Sequence, residues 1–309
     1  MAALAGARTP ARAAPTAPTP PGSIAERLTG RGIGRRRTTA DRTMRGLALA
    51  AALLCVVPLG AVLVFVTLRG LPALNLDLLT KGPKALGIGG GAANAILGTL
   101  QMVPLAAVVA VPVGVLGAIY VSEFGDRRWA RIIRFCADVL VGVPSILVGI
   151  FVFTFLVLPF KQFNAFAGSV SLAIIMLPVV MRTTEESLHL VPNALREASL
   201  ALGVPMWRTV LSVVLRTGLP GILTGSMLAF ARAMGETAPL LFTALGSRLI
   251  NVGDFGKPMD ALPMFIYVNA RQPIDALNEQ AWGAAFLLLL VVLLINVAVR
   301  ARTWGRRIG

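Results

Sequence analysis

Residues 196–220 read REASLALGVPMWRTVLSVVLRTGLP, a polar and amphipathic break between two strongly apolar stretches. Glu197 and Ala198, followed by Gly203, set a carboxylate, a small side chain and a helix-ending glycine close together. Pro205, two residues later, suits the start of a new helix at Met206 or Trp207. The spacing predicts a short helix, a sharp turn and a second helix, a knob shaped to be gripped by another protein. The same periodicity also fits a helix lying on lipid headgroups, and the stretch alone leaves both readings open.

The chain around it is far too apolar for a soluble domain. Of 309 residues, 56% are hydrophobic and 14% charged, with a mean hydropathy of +0.78, which defines an integral membrane protein. The formal charge of +15 is spread over loops between apolar spans, with no zinc, RNP or helix-turn-helix signature, so it is read as membrane orientation and not as nucleic-acid binding. Cys55 and Cys136 fall in or beside apolar spans and suggest neither a disulfide framework nor a metal cage. His189 stands beside a span end without a Cys or His companion at ligand spacing and reads as interfacial.

Residues 1–45 are rich in Ala, Pro, Gly, Thr and Arg without periodicity, and are expected to form a disordered basic tail. The apolar run from 46 to 68 begins too late and runs too long for a cleaved signal peptide. Five further spans are expected near 95–121, 132–158, 168–181, 218–245 and 282–299. The fourth has only about 14 apolar residues before Arg182, against the ~20 that cross a bilayer, so it must continue as a helix to His189. The expected fold is therefore all-α, with six transmembrane helices over residues 46–309 and a loop at about 188–216 carrying the knob.

Six spans put both termini on one side. Lys and Arg number 21 on that side and 7 on the other, with Arg232 inside the fifth span completing the 29. Both termini and the knob are expected to be cytoplasmic. Residues 87–91, GIGGG, read as a flexible outer loop: no strand precedes them and no Lys-Ser or Lys-Thr closes them. With no P-loop anywhere, nucleotide energy must come from a partner. No internal repeat marks two inverted halves.

Ionisable residues within a bilayer cost a few kcal/mol each unless paired or hydrated, so they are candidate functional groups. Arg232 and Glu236 in FARAMGETAPLL are spaced i,i+4 beside Gly235 and Pro239, which suits the lining of a polar pathway and equally a salt bridge holding the bundle. Arg182 precedes Glu185 and Glu186 by three and four residues, and Asp138 near the cytoplasmic end of the third span is a third candidate that fits a simple interfacial anchor equally. A guanidinium is always charged and offers a planar fork to an oxyanion, and a nearby carboxylate keeps such a well weak enough to release its guest. Gly221, Gly225, Ala229 and Ala233 recur every four residues and read as a packing stripe.

Several segments together resemble a known family. Glu197, Ala198 and Gly203 match the EAA loop of ABC-importer permeases, with Ser199 at its third position, Val213 at the later aliphatic one, and Leu219-Pro220 four residues beyond the usual Leu-Pro. Segments 98–124, 138–153, 177–192 and 232–241 are similar to permease subunits of the bacterial phosphate-specific importer, and RAMGETAP with RTTEE is similar to the A-type subunit. The resemblance covers about residues 44–300 and implies a type I importer fold in the bacterial inner membrane. It implies a second (PstC-like) permease subunit, a dimeric (PstB-like) ATPase carrying ATP and magnesium, and an extracytoplasmic (PstS-like) phosphate-binding protein. No cofactor and no catalysis are expected on this chain. By the same resemblance, Arg182, Glu185, Arg232 and Glu236 serve anion passage, and Glu197, Ala198 and Gly203 couple to the ATPase. The same machine serving sulfate, molybdate or a phosphonate, an ion-coupled carrier, and a membrane scaffold are the competing expectations.

Overall fold

Apolar length decides where this chain forms helices, and proline and glycine decide where they break. The structure, a computed structural model, describes residues 31–304. Helix α1 spans Arg31–Gly70. It starts well before the expected 46, so residues 31–45 are helical and not a disordered tail; residues 1–30 lie outside the described region. Once an apolar span supplies the nucleus, Arg, Thr, Ala and Met extend a helix at little cost.

Packing divides the chain into residues 1–62 and 63–309. The first contributes α1 up to Val62. In the second, the end of α1 is held by Phe65, whose ring meets that of Trp282 edge-on at 5.2 Å. A short helix α2 (Leu76–Thr80) is capped by Asn75, whose side chain accepts from the Leu78 amide at 2.7 Å. Helix α3 (Ala93–Ile119) continues as a π-turn over Tyr120–Phe124. Residues 87–91 between them are pinned, since the Gln280 amide donates to the carbonyls of Gly87 and Gly90 at 2.6 and 3.1 Å. The expected free loop is thus a fastened one.

The third span is not one helix. Helix α4 (Arg127–Gly142) and α5 (Ser145–Val152, with a π-turn to Val157) meet at 103°. Pro144 is the cause: it has no N–H to donate and holds Val143 extended at φ −71, ψ 128. Helix α6 (Ala165–His189) does run through Arg182 to His189 as expected. Its first amides find acceptors outside the helix, Ala165 N donating to Lys257 O at 2.9 Å and Phe166 N to Phe255 O at 3.0 Å.

After α6 come α7 (Asn193–Ala201) and α8 (Met206–Thr209). A π-turn over Val210–Val214 leads into α9 (Leu215–Met234). This span therefore runs over Met206–Met234, earlier than the expected 218–245. Gly235 ends it, and Pro239 opens the separate helix α10 (Ala238–Thr243). Helices α11 (Leu262–Asn269) and α12 (Asp275–Trp304) complete the described chain, the last span beginning before the expected 282. Among the described residues five helices are long and apolar enough to cross a membrane, and the bent α4–α5 pair makes six if it counts as one span.

The core lies where α3, α6 and α9 meet, around Met102, Ala106, Leu172, Met176, Val180, Ala229 and Ala233. Between helices in lipid, close contact replaces the hydrophobic drive, which rewards small residues. The stripe on α9 does this. A Cβ built on Gly225 would lie 2.1 Å from Thr183 Oγ1, and one on Gly221 would lie 2.4 Å from Ser187 Oγ. Away from the knob, the chain between α10 and α11 folds back onto α3. Gln101 Oε1 accepts from Gly253 N at 2.6 Å, Thr99 Oγ1 accepts from Leu262 N at 2.8 Å, and Asn94 Nδ2 donates to Ser247 O at 2.6 Å and to Asp260 at 3.1 Å.

Candidate functional site: a coupling knob and two charge clusters

The knob forms as its sequence predicts. Helix α7 ends in a Schellman turn: Gly203 N donates to Leu200 O at 2.9 Å and Val204 N to Ser199 O at 3.3 Å, with Gly203 left-handed at φ +79. Ser199 and Thr209, both buried, bond through their hydroxyls at 2.8 Å and close α7 on α8. The inner side of the knob sits on Ile119, Leu188, Val191, Val210, Val214 and Ile222. Its outer side holds Glu197, Ala198 and Gly203, all exposed, next to Leu202 at 84% and Trp207 at 59% exposure. A compact tip with a carboxylate among bare apolar side chains has the character of a docking surface.

The first charge cluster gathers at the same end of the bundle. Glu185 is its hub, 5% exposed, with Arg134 Nε on Oε1, Arg182 Nη1 on Oε2 at 3.1 Å, and His189 Nε2 at 3.7 Å from Oε1. Arg182 Nε donates to Asp138 Oδ1 at 2.7 Å, and its Nη2 is also on that oxygen. Arg134 Nη2 reaches the Val121 carbonyl at 3.3 Å. Asp138 is thus the counter-ion of Arg182; Glu186 faces outward and takes no part. Arg134 was not picked out from the sequence, because it reads as one more loop-side arginine. It meets Glu185 only because α4 packs against α6 in the folded chain.

Arg232 and Glu236 form the second cluster. They do not share one continuous helix, since α9 stops at Met234 and Gly235 caps it. The break nonetheless leaves Arg232 Nε 3.4 Å from Glu236 Oε1, with the arginine side chain 47% exposed and the glutamate 16%. Each of the three nitrogens of Arg182 meets a carboxylate, whereas Arg232 is lightly held and half-exposed. The structure does not bring Arg182 or Glu185 into contact with Arg232 or Glu236. Between residues 245–248, α11 and residues 83–85, a cavity of about 320 Å³ is lined by Lys84, Arg248, Ser247 and Asp260. Burial pushes the Asp260 carboxyl up to about 6 from 3.8, against the Ala261 amide and Asn94 amide that favour its charged form.

Five long apolar helices, a sharply bent helix pair and an exposed two-helix knob define a permease subunit of the type I ABC-importer class. The family described as binding-protein-dependent transport system inner membrane component matches residues 110–302. Two solved structures described as inward-facing conformations of the MetNI methionine ABC transporter share the fold. They align at TM-scores of 0.54 and 0.52, with 20% and 22% identity, over 70% of this chain and 94% of theirs.

Three relatives carry the name phosphate transport system permease protein PstA. That of Haemophilus influenzae is 39% identical over 265 residues, covering 85% of this chain and 94% of its own. That of Pasteurella multocida is 42% identical over 233 residues, covering 75% and 83%. PstA 1 of Mycobacterium tuberculosis is 46% identical over 211 residues, covering 68% and 68%. The chain belongs to the binding-protein-dependent inner-membrane permeases and, among them, to the PstA family. It is a multi-pass inner-membrane subunit, and membership in an ABC importer implies an ATPase and a substrate-binding protein as partners.

Proposed function

We propose that this chain is one of two membrane subunits of an ATP-driven importer of inorganic phosphate, beside a PstC-like permease. A PstB-like ATPase dimer, carrying ATP and magnesium, receives the knob, and a PstS-like receptor delivers the anion at the other face. The 21 basic residues on one side against 7 on the other support a cytoplasmic location for both termini and the knob.

The observation that carries the reading is the contrast between the two arginines. Arg182 is neutralised by Asp138 and Glu185, while Arg232 is half-exposed with a single contact at 3.4 Å. An oxyanion takes the lightly held guanidinium through paired N–H donors, and Glu236 beside it keeps the well shallow enough for release. The Arg182–Glu185 cluster closes the cytoplasmic end of the path. ATP binding closes the ATPase dimer, displaces the knob through Glu197, Ala198 and Gly203, and rocks the bundle to face outward. A loaded receptor drives this cycle only by preferring one of the two states. Kinship to PstA supports phosphate as the anion.

ATP-dependent uptake of labelled phosphate into vesicles, with all four components co-expressed, tests the proposal. The expected result is uptake that needs every partner and resists sulfate and molybdate. Uptake by this chain alone without ATP, or uptake that sulfate suppresses, would overturn it.

A further inference from the structure

Among the described residues, one buried ion pair belongs to neither charge cluster. Arg196, the residue before Glu197, faces inward from α7 with its side chain 15% exposed, and Glu123, in the π-turn that ends α3, is 4% exposed. The pair is bidentate, Nη2 to Oε1 at 2.8 Å and Nε to Oε2 at 3.2 Å. The same guanidinium donates to Leu188 O at 2.9 Å, Val191 O at 2.6 Å and Asn193 Oδ1 at 3.2 Å. All N–H groups of the fork are thereby used. Three separate pieces meet on one side chain: the end of α3, the last carbonyls of α6 and the start of the knob.

We propose that Arg196 and Glu123 are positioning residues that make the knob a rigid extension of α3 and α6, so that displacement of its tip reaches the Arg182–Glu185 cluster. This rests on the reading of the knob as the ATPase contact. A buried ion pair adds little net stability over apolar side chains of like size, so stability alone gives no reason for it. What it adds is geometry, since a planar fork with every donor engaged resists both shear and rotation. The route onward is continuous. Glu123 lies two residues after Val121, whose carbonyl receives Arg134, and Arg134 in turn binds the Glu185 hub. On the other side Arg196 grips the end of α6, the helix that carries Arg182 and Glu185.

The test uses the four-component complex in proteoliposomes and compares basal ATPase with the ATPase stimulated by phosphate-loaded receptor. Three changes are made: Arg196→Lys, which keeps the charge and loses the fork; Glu123→Gln; and the apolar pair Glu123→Leu with Arg196→Met. Each complex is expected to assemble with basal ATPase within about twofold of wild type, while receptor stimulation falls about tenfold. The apolar pair decides the matter if a single variant misfolds, because it restores packing without the fork. Full stimulation in the assembled apolar pair, or basal and stimulated rates falling together, would overturn the proposal. A wild-type complex that responds to receptor yet imports no phosphate refutes the phosphate reading and leaves this comparison valid. One with no response to receptor sinks both.

Discussion

Asp260 gives the protein a pH-dependent stability whose sign follows from its surroundings. Its carboxyl is largely buried and rises from 3.8 to about 6, with Oδ1 accepting from Ala261 N at 2.9 Å and Oδ2 from Asn94 Nδ2 at 3.1 Å. The folded state therefore holds the proton more tightly than the unfolded chain does. Below about pH 4 both states are protonated and there is no penalty; from there to about 6 stability falls, and above it the loss is complete. A rise of roughly two units at about 1.4 kcal/mol each makes that loss about 3 kcal/mol. Asp260→Asn is neutral throughout and should remove this slope. It forfeits one of the two acceptor oxygens, about 1–3 kcal/mol, so above pH 6 it should match or slightly exceed the wild type. Thermal unfolding of the purified protein in detergent, followed by tryptophan fluorescence from pH 4 to 8, reads the difference between the two proteins and cancels other carboxylates. A difference that is flat across this range would refute the burial argument.

Arg232→Gln should leave the complex assembled and lower phosphate uptake about 10- to 100-fold, the worth of a charged hydrogen-bonding contact; failure to assemble would show instead that the Arg232–Glu236 pair holds the bundle. Gly203→Ala meets nothing within 4 Å but must hold φ +79, so it should cost about 1–2 kcal/mol and weaken co-purification of the ATPase. Gly225→Ala should destabilise by about 1–3 kcal/mol through Thr183. Thr183→Gly should rescue it and Thr183→Ala should not, because Thr183 Cβ itself lies 2.4 Å from the added carbon; thermal unfolding of the three proteins decides. Reporter fusions after Gly70 and after Arg134 should report the outer and inner faces respectively, and an outward Arg134 would reverse the topology.

Much of the site was legible because its signals are local. Glu197, Ala198, Gly203 and Pro205 specify a helix, a left-handed turn and a second helix within one short stretch, and all of those contacts form inside it. The length of α6 was legible too, since a helix cut at Arg182 could not cross a bilayer. The helix break between Arg232 and Glu236 was less so: Gly235 and Pro239 were seen beside the pair, but whether they loosen a helix or end it depends on what the following turn packs against.

The amino-acid order by itself determined that this is a multi-span membrane protein and that residues 196–209 form a two-helix knob, because hydropathy and turn chemistry act over a few residues. Only the tertiary structure decided which arginine is neutralised and which is lightly held. Arg134, Asp138, Arg182 and Glu185 come from two helices, and Glu123 and Arg196 are 73 positions apart. Their pairing is set by how α3, α4 and α6 cross, with α3 brought onto α6 by the close approach of Gly114 to Val180. Buried charges are then paired by whatever that packing brings within reach, and no local pattern encodes it.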